Sequence, residues 1–179
     1  MAFQLKSINS NLIFEKSDIL QLTEYFEDYA HKNNLDFFIV KAGYDIYSLL
    51  NMTALFISNI SYSVMPEDID NNKIKNLFNS KKIFIIENEE KSFFNPKNIR
   101  RDISENRIYK IKNNEKRKIL YLSSGSTGNP KLIEMTSKSA YTCHEKVIKV
   151  LNIKKNIKNI ICFHSNSFVI SLNYIMLGI

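Results

Sequence analysis

Tryptophan is absent, and the 179 residues include four glycines, three prolines and two cysteines. So little Gly and Pro excludes a collagen-like or proline-rich chain. Two cysteines, Cys143 and Cys162, cannot staple a small secreted scaffold. No window of about 18 residues is free of polar groups, so no membrane span is expected. The most apolar stretch, from Ile160 to Ile179, is interrupted by His164, Asn166 and Asn173. Met1 to Phe14 lacks the charged-then-apolar run of a leader peptide. A cytoplasmic location is the resulting expectation.

Arginine is scarce as well, at 4 residues against 21 lysines. The net charge is +7, but it is uneven: residues 1–70 sum to −6 and residues 71–179 to +13. A basic second half can attract a polyanion, whether nucleic acid or a nucleotide phosphate. The 26 Ile, 22 Asn and 21 Lys share A/T-rich codons, so a low-GC coding sequence accounts equally well for a solvated lysine surface. No aromatic RNA-binding motif is present, and no nucleic-acid partner is expected.

Hydrophobic residues make up 44% and charged residues 24%, the balance of a globular chain long enough for one domain. The apolar pattern alternates in type. Ile19, Leu20, Leu22, Tyr25, Phe26 and Tyr29 form a helical stripe, with Ser17 as the expected N-cap. Phe37 to Val40 is a short apolar run and reads as a buried strand. Helices are predicted over 45–59, 68–80 and 137–151, and near 168–177. Strands are predicted over 61–65, 82–87, 117–123, 132–136 and 157–163. Residues 88–116 carry little periodicity and read as an irregular connection. Strands that alternate with helices predict an α/β fold, a layered and largely parallel sheet with flanking helices.

Chemistry concentrates between Leu120 and Lys131, in the run LYLSSGSTGNPK. Directly after a predicted buried strand stand four hydroxyls (Ser123, Ser124, Ser126, Thr127), two glycines (Gly125, Gly128) and Lys131. Glycines let a backbone approach closely and turn its N–H groups toward one point. Hydroxyls rotate to suit phosphate oxygens, and the lysine adds positive charge. Composition alone fits a flexible surface loop equally well. The run is not a Walker A element, since it holds no Gly-Lys-Ser/Thr.

This run resembles the signature loop of the adenylate-forming superfamily, which includes acyl-CoA synthetases, peptide-synthetase adenylation domains and luciferase-like enzymes. Every position from Leu120 to Lys131 fits that signature. Weaker likeness extends over most of the chain. Residues 17–33 are similar to the helix that opens the family's N-terminal domain. Ser63-Val64-Met65-Pro66-Glu67 stands where the family has a "vPl.pe" segment, and Lys81 to Phe84 resembles the strand after the next helix. Cys162-Phe163-His164 to Gly178 resembles the family's "lFH.yGf..gl...l..G" segment. There are departures: Leu132 stands where a glycine usually follows the loop lysine, and Thr136-Ser137 where Thr-His is common.

The resemblance implies an ATP-dependent carboxylate-activating ligase that forms an acyl-adenylate and then an acyl thioester. It implies phosphate contacts from Ser123, Ser124, Gly125, Ser126, Thr127, Gly128 and Lys131, with Thr127 and Lys131 acting in catalysis. His164 and Phe168 match positions that line the acyl pocket. Val169 stands where amino-acid-activating members carry an Asp, so a carboxylic acid without an α-amino group is expected. ATP and Mg2+ are the implied cofactors, and the thiol acceptor is coenzyme A or a carrier-protein phosphopantetheine. The sequence contains no counterpart of the family's adenine-contacting, ribose-binding and late lysine elements. The expectation is therefore that residues 1–179 form a partial N-terminal domain, inactive alone, whose partner is the missing C-terminal part. The alternative is a non-catalytic truncated or split module that binds nucleotide or a protein.

Other constellations carry less. Cys143-His144 and Cys162-x-His164 do not have the spacing of a zinc finger or ribbon, and no metal site is expected. Neighbours on a helix point about 100° apart, so Cys143 and His144 cannot readily share one ion. Glu87, Glu89 and Glu90 read as a solvated turn.

Overall fold

A computed structural model describes residues 4–7, 12–87, 110, 112–123, 130–150 and 152. It opens with two three-residue strands, β1 (Gln4–Lys6) and β2 (Ile13–Glu15), paired antiparallel so that Leu5 faces Phe14. Both of these apolar residues are buried, which ties the hairpin to the core.

Helix α1 follows at Lys16–Asn33. Its cap is Glu15 and not Ser17. The Glu15 carboxylate and Asp18 form a reciprocal capping box, in which the Glu15 N–H donates to Asp18 Oδ2 at 2.8 Å. The helix ends at Asn34 in the left-handed region, φ 51°, which a short amide side chain tolerates. Strand β3 (Phe37–Ala42), helix α2 (Ile46–Ile57) and strand β4 (Tyr62–Pro66) come next. Asp45 caps α2, accepting from the Ser48 N–H at 2.7 Å.

Helix α3 occupies only Asn71–Leu77, shorter than the 68–80 expected from its apolar spacing. Asp70 accepts from the N–H groups of Asn72 and Lys73 and fixes the start. Ser80, at φ 69°, turns the chain out toward strand β5 (Ile83–Ile86). Strand β6 (Lys118–Ser123), strand β7 (Lys131–Thr136) and helix α4 (Ser137–Val150) complete the described elements.

Strands β3 to β7 form one sheet in the order β5-β3-β4-β6-β7. The first four strands run parallel and β7 runs antiparallel to β6. This is the expected mixed α/β fold with a mostly parallel sheet. Side chains of β3, β4 and β6 are buried on both faces, as in any sheet covered on two sides. One face packs α1, α2 and α4 through Phe26, Leu50, Leu55, Phe56 and Ala140 against Phe38, Val40, Tyr62, Val64 and Tyr121. The other packs α3 through Ile74 and Phe78 against Ile39, Met65 and Leu120. Aromatic rings reinforce the first layer: Phe38 lies 4.9 Å from Phe26 and 5.8 Å from Phe84 between ring centres. The two buried rings, Phe26 and Phe38, each contribute about 2–3 kcal/mol through apolar area removed from water. No helix among the described residues is long and apolar enough to cross a membrane.

Candidate functional site

Parallel pairing puts the carboxyl ends of β3, β4, β5 and β6 at one edge of the sheet. Because β7 runs the opposite way, its first residue, Lys131, lies at that same edge. The connection from β3 runs through α2 on one face, and that from β4 through α3 on the other. Where two neighbouring parallel strands send their connections to opposite faces, a crevice opens at their carboxyl ends. Ser123 at the end of β6 and Lys131 at the start of β7 lie at the same edge, one strand away.

Seven residues, 124–130, join β6 to β7. Antiparallel neighbours are usually joined by two to five, and longer loops tend to carry function. The neck of this loop is closed by the last rung of the ladder, Ser123 opposite Lys131. There the Lys131 N–H donates to Ser123 Oγ at 3.2 Å. The side chain of Lys131 is exposed at the loop exit, and Pro130 precedes it. The lower part of the ladder is anchored in the core, with Ile119 and Tyr121 buried and Ser63 Oγ donating to the Leu120 carbonyl at 3.0 Å.

Among the expected site residues, Ser123 and Lys131 are therefore brought together. Ser124, Gly125, Ser126, Thr127 and Gly128 lie outside the described residues, and so do His164 and Phe168.

The carboxyl edge of the sheet also brings together groups outside the signature run. The Glu67 carboxyl lies against Gly43: a Cβ on Gly43 would stand 2.1 Å from Glu67 Oε2. Lys41 Nζ reaches Asn71 Oδ1 at 3.5 Å, and Asn71 Nδ2 donates to Glu87 Oε1 at 2.6 Å. Tyr44 is 79% exposed at the same edge. A glycine directly after a buried strand was the one readable signal here, and it marks the close approach.

A buried cationic centre lies at the opposite end of β6. Arg117 is 2% exposed. Its Nε donates to the Ile60 carbonyl at 2.8 Å, Nη1 to Ser137 Oγ at 3.1 Å, and Nη2 to the Leu55 carbonyl. The guanidinium also sits 5.4 Å from the Phe56 ring centre and 5.6 Å from that of Tyr62. Burial brings its pKa down to about 10, so it remains charged at neutral pH. Burial likewise pushes Tyr141 up to about 12 and holds Tyr62 and Tyr121 well above the ordinary phenol range. Arg117 fastens α2, β6 and α4 together, away from the carboxyl edge.

Cys143 is exposed and His144 is buried. Among the described residues, no group of three or more His, Cys, Asp or Glu side chains could hold a metal ion.

No protein-family profile and no curated protein matches the chain. Among solved structures, the chain is similar in fold to the Vibrio cholerae adenylation domain AlmE, determined in complex with glycyl-adenosine-5'-phosphate, with a TM-score of 0.60 and 11% sequence identity. The match covers 94% of this chain and 39% of that one. At that identity the likeness establishes the fold.

Proposed function

We propose that this chain is the phosphate-binding part of an ATP-dependent ligase that activates a carboxylate as its adenylate. The observation that carries the reading is the Leu120–Lys131 run: it fits the adenylate-forming signature at every position, and its described ends close a long loop at the sheet's carboxyl edge. The likeness in fold to an adenylation domain supports it.

In this reading the substrate carboxylate attacks the α-phosphorus of ATP. A new acyl oxygen–phosphorus bond forms as the bond to the pyrophosphate oxygen breaks. The loop from Ser123 to Lys131 holds the β- and γ-phosphates, with Ser124, Gly125, Ser126, Thr127 and Gly128 supplying hydroxyl and backbone donors. Lys131 adds the positive charge that meets the charge building on departing pyrophosphate. Donors placed before the reaction cost no reorganisation during it, which is why such groups lower barriers. Magnesium, when bound with the nucleotide, would add positive charge against the phosphates, and it commonly needs few protein ligands. A thiol, of coenzyme A or of a carrier-protein phosphopantetheine, then attacks the acyl carbon, losing its proton, and the carbon–oxygen bond to the phosphate breaks so that AMP leaves. His164 and Phe168 line the acyl pocket, and the acid lacks an α-amino group.

The test is ATP–pyrophosphate exchange by the full-length gene product. Lys131→Ala and Thr127→Ala should each lower exchange by about 100-fold or more. Exchange unchanged in both variants would sink the reading. A second reading rests on the 39% coverage of AlmE: a module that binds nucleotide without turnover, which predicts ATP binding with no exchange in the wild type.

A further inference from the structure

The β7 strand can offer no backbone donor before Lys131, because Pro130 has no N–H. The Lys131 N–H is thus the first backbone donor of β7, and it is held by the Ser123 side chain at 3.2 Å. Ser123 is two residues on from Tyr121, whose ring is buried on the α1–α2–α4 face, and side chains two apart in a strand share a face. Lys131, directly opposite Ser123, leaves the ladder on that same face.

Final rungs of a ladder fray, and a frayed residue cannot hold its side chain in place. A lysine head on a four-carbon stem is a flexible point charge, so its aim depends on its backbone. We infer that Ser123 is a positioning residue for Lys131: its hydroxyl accepts the Lys131 N–H, fixes the start of β7, and so sets where the lysine ammonium meets polyphosphate. This assigns Ser123 an action through Lys131 in place of direct phosphate contact, and it rests on the phosphate-loop reading above. Threonine keeps the accepting oxygen and suits a strand; alanine removes it.

The experiment compares the wild-type chain with Ser123→Ala and Ser123→Thr. Residue-resolved amide hydrogen exchange is read at Lys131, with Tyr121 and Ile133 as internal references. Binding of inorganic tripolyphosphate is read by calorimetry on the same proteins. Ser123→Ala should speed exchange at Lys131 and weaken binding, each by about tenfold. The reference amides should stay unchanged, and Ser123→Thr should restore both readouts.

Exchange at Lys131 as fast in the wild type as in Ser123→Ala overturns the inference, because no bond is then lost. Faster exchange with unchanged affinity overturns it too, because the bond does not then serve binding. Weaker affinity with unchanged exchange overturns it in favour of direct contact between Ser123 and phosphate. In all three cases wild-type binding stands. If the wild type binds no tripolyphosphate, the phosphate-loop reading itself fails and the inference falls with it.

Discussion

Arg117 is the residue on which three elements depend. Its fork reaches the end of α2 at Leu55, the following loop at Ile60 and the start of α4 at Ser137. Lysine keeps the charge but not the planar fork, so Arg117→Lys leaves buried carbonyls short of donors. The expected loss is about 2–4 kcal/mol, read as a lower urea midpoint. A midpoint within experimental error of the wild type would show that the fork is dispensable. The phenols around it set the alkaline limit. A phenol whose folded pKa is raised contributes its full stability below its unfolded value of 10.0, and loses it as pH climbs toward the folded value. Arg117, depressed to about 10, works the opposite way, since its deprotonation in the folded state relieves a buried charge. Tyr62, Tyr121 and Tyr141 outnumber it, so stability should fall from about pH 10 to 12. Tyrosinate absorbance and circular dichroism should change together in an alkaline titration. Complete phenol ionisation with the fold intact would contradict this.

Among the elements, the turn after β3 is set by contact with the turn after β4. Gly43 has no room for a Cβ beside Glu67 Oε2, 2.1 Å away. The obstruction is the tip of a flexible side chain, so alanine at 43 should displace the Glu67 carboxyl and leave the strand where it is. Gly43→Ala should therefore cost little, at most about 1 kcal/mol, and less than half of that in a Glu67→Ala background. Urea midpoints of the four proteins form the cycle, and equal costs in both backgrounds would show that close approach is not why glycine stands there. Such contacts between sequence-distant turns cannot be read from a pattern. Strands could be: the runs at Phe37, Ile83 and Ile119 are apolar and short, and each lies in the sheet where predicted. The β1–β2 hairpin could not, since each three-residue strand buries a single side chain and so shows no period. Ser17 misled because Glu15 and Asp18 satisfy the first turn reciprocally, moving the start back. Asp70 does the same to α3 in the other direction. Of the site, only Ser123 and Lys131 can be compared with expectation, and their hydrogen bond was not foreseen. A hydroxyl in a Ser-rich run reads as one more ligand donor, and only the register shows it facing Lys131.

At the scale of the whole molecule, charge and extent decide what this chain should do alone. Residues 71–179, net +13, carry the loop, while residues 1–70 sum to −6. Three described carboxylates of the basic half, Glu115, Glu134 and Glu145, already pair with Lys138, Lys118 and Lys112. Added anionic phosphate meets a chain whose net charge is +7, and screening by salt should weaken the attraction. The matched adenylation domain is more than twice as long, since the match spans 39% of it. The proposed contacts in this chain are to the β- and γ-phosphates. The 179 residues alone should then recognise nucleotides by phosphate number: ATP and tripolyphosphate should bind alike, and AMP at least about tenfold more weakly. Affinity should fall as ionic strength rises from about 0.05 to 0.5 M, as the Debye length shrinks to a few ångström. Equilibrium dialysis with ATP, AMP and tripolyphosphate measures all of this, and a product assay on the same samples should show no adenylate. AMP binding as tight as ATP would place recognition on the adenosine and refute a phosphate-led site. Turnover by the chain alone would mean that the chemistry needs nothing beyond these residues.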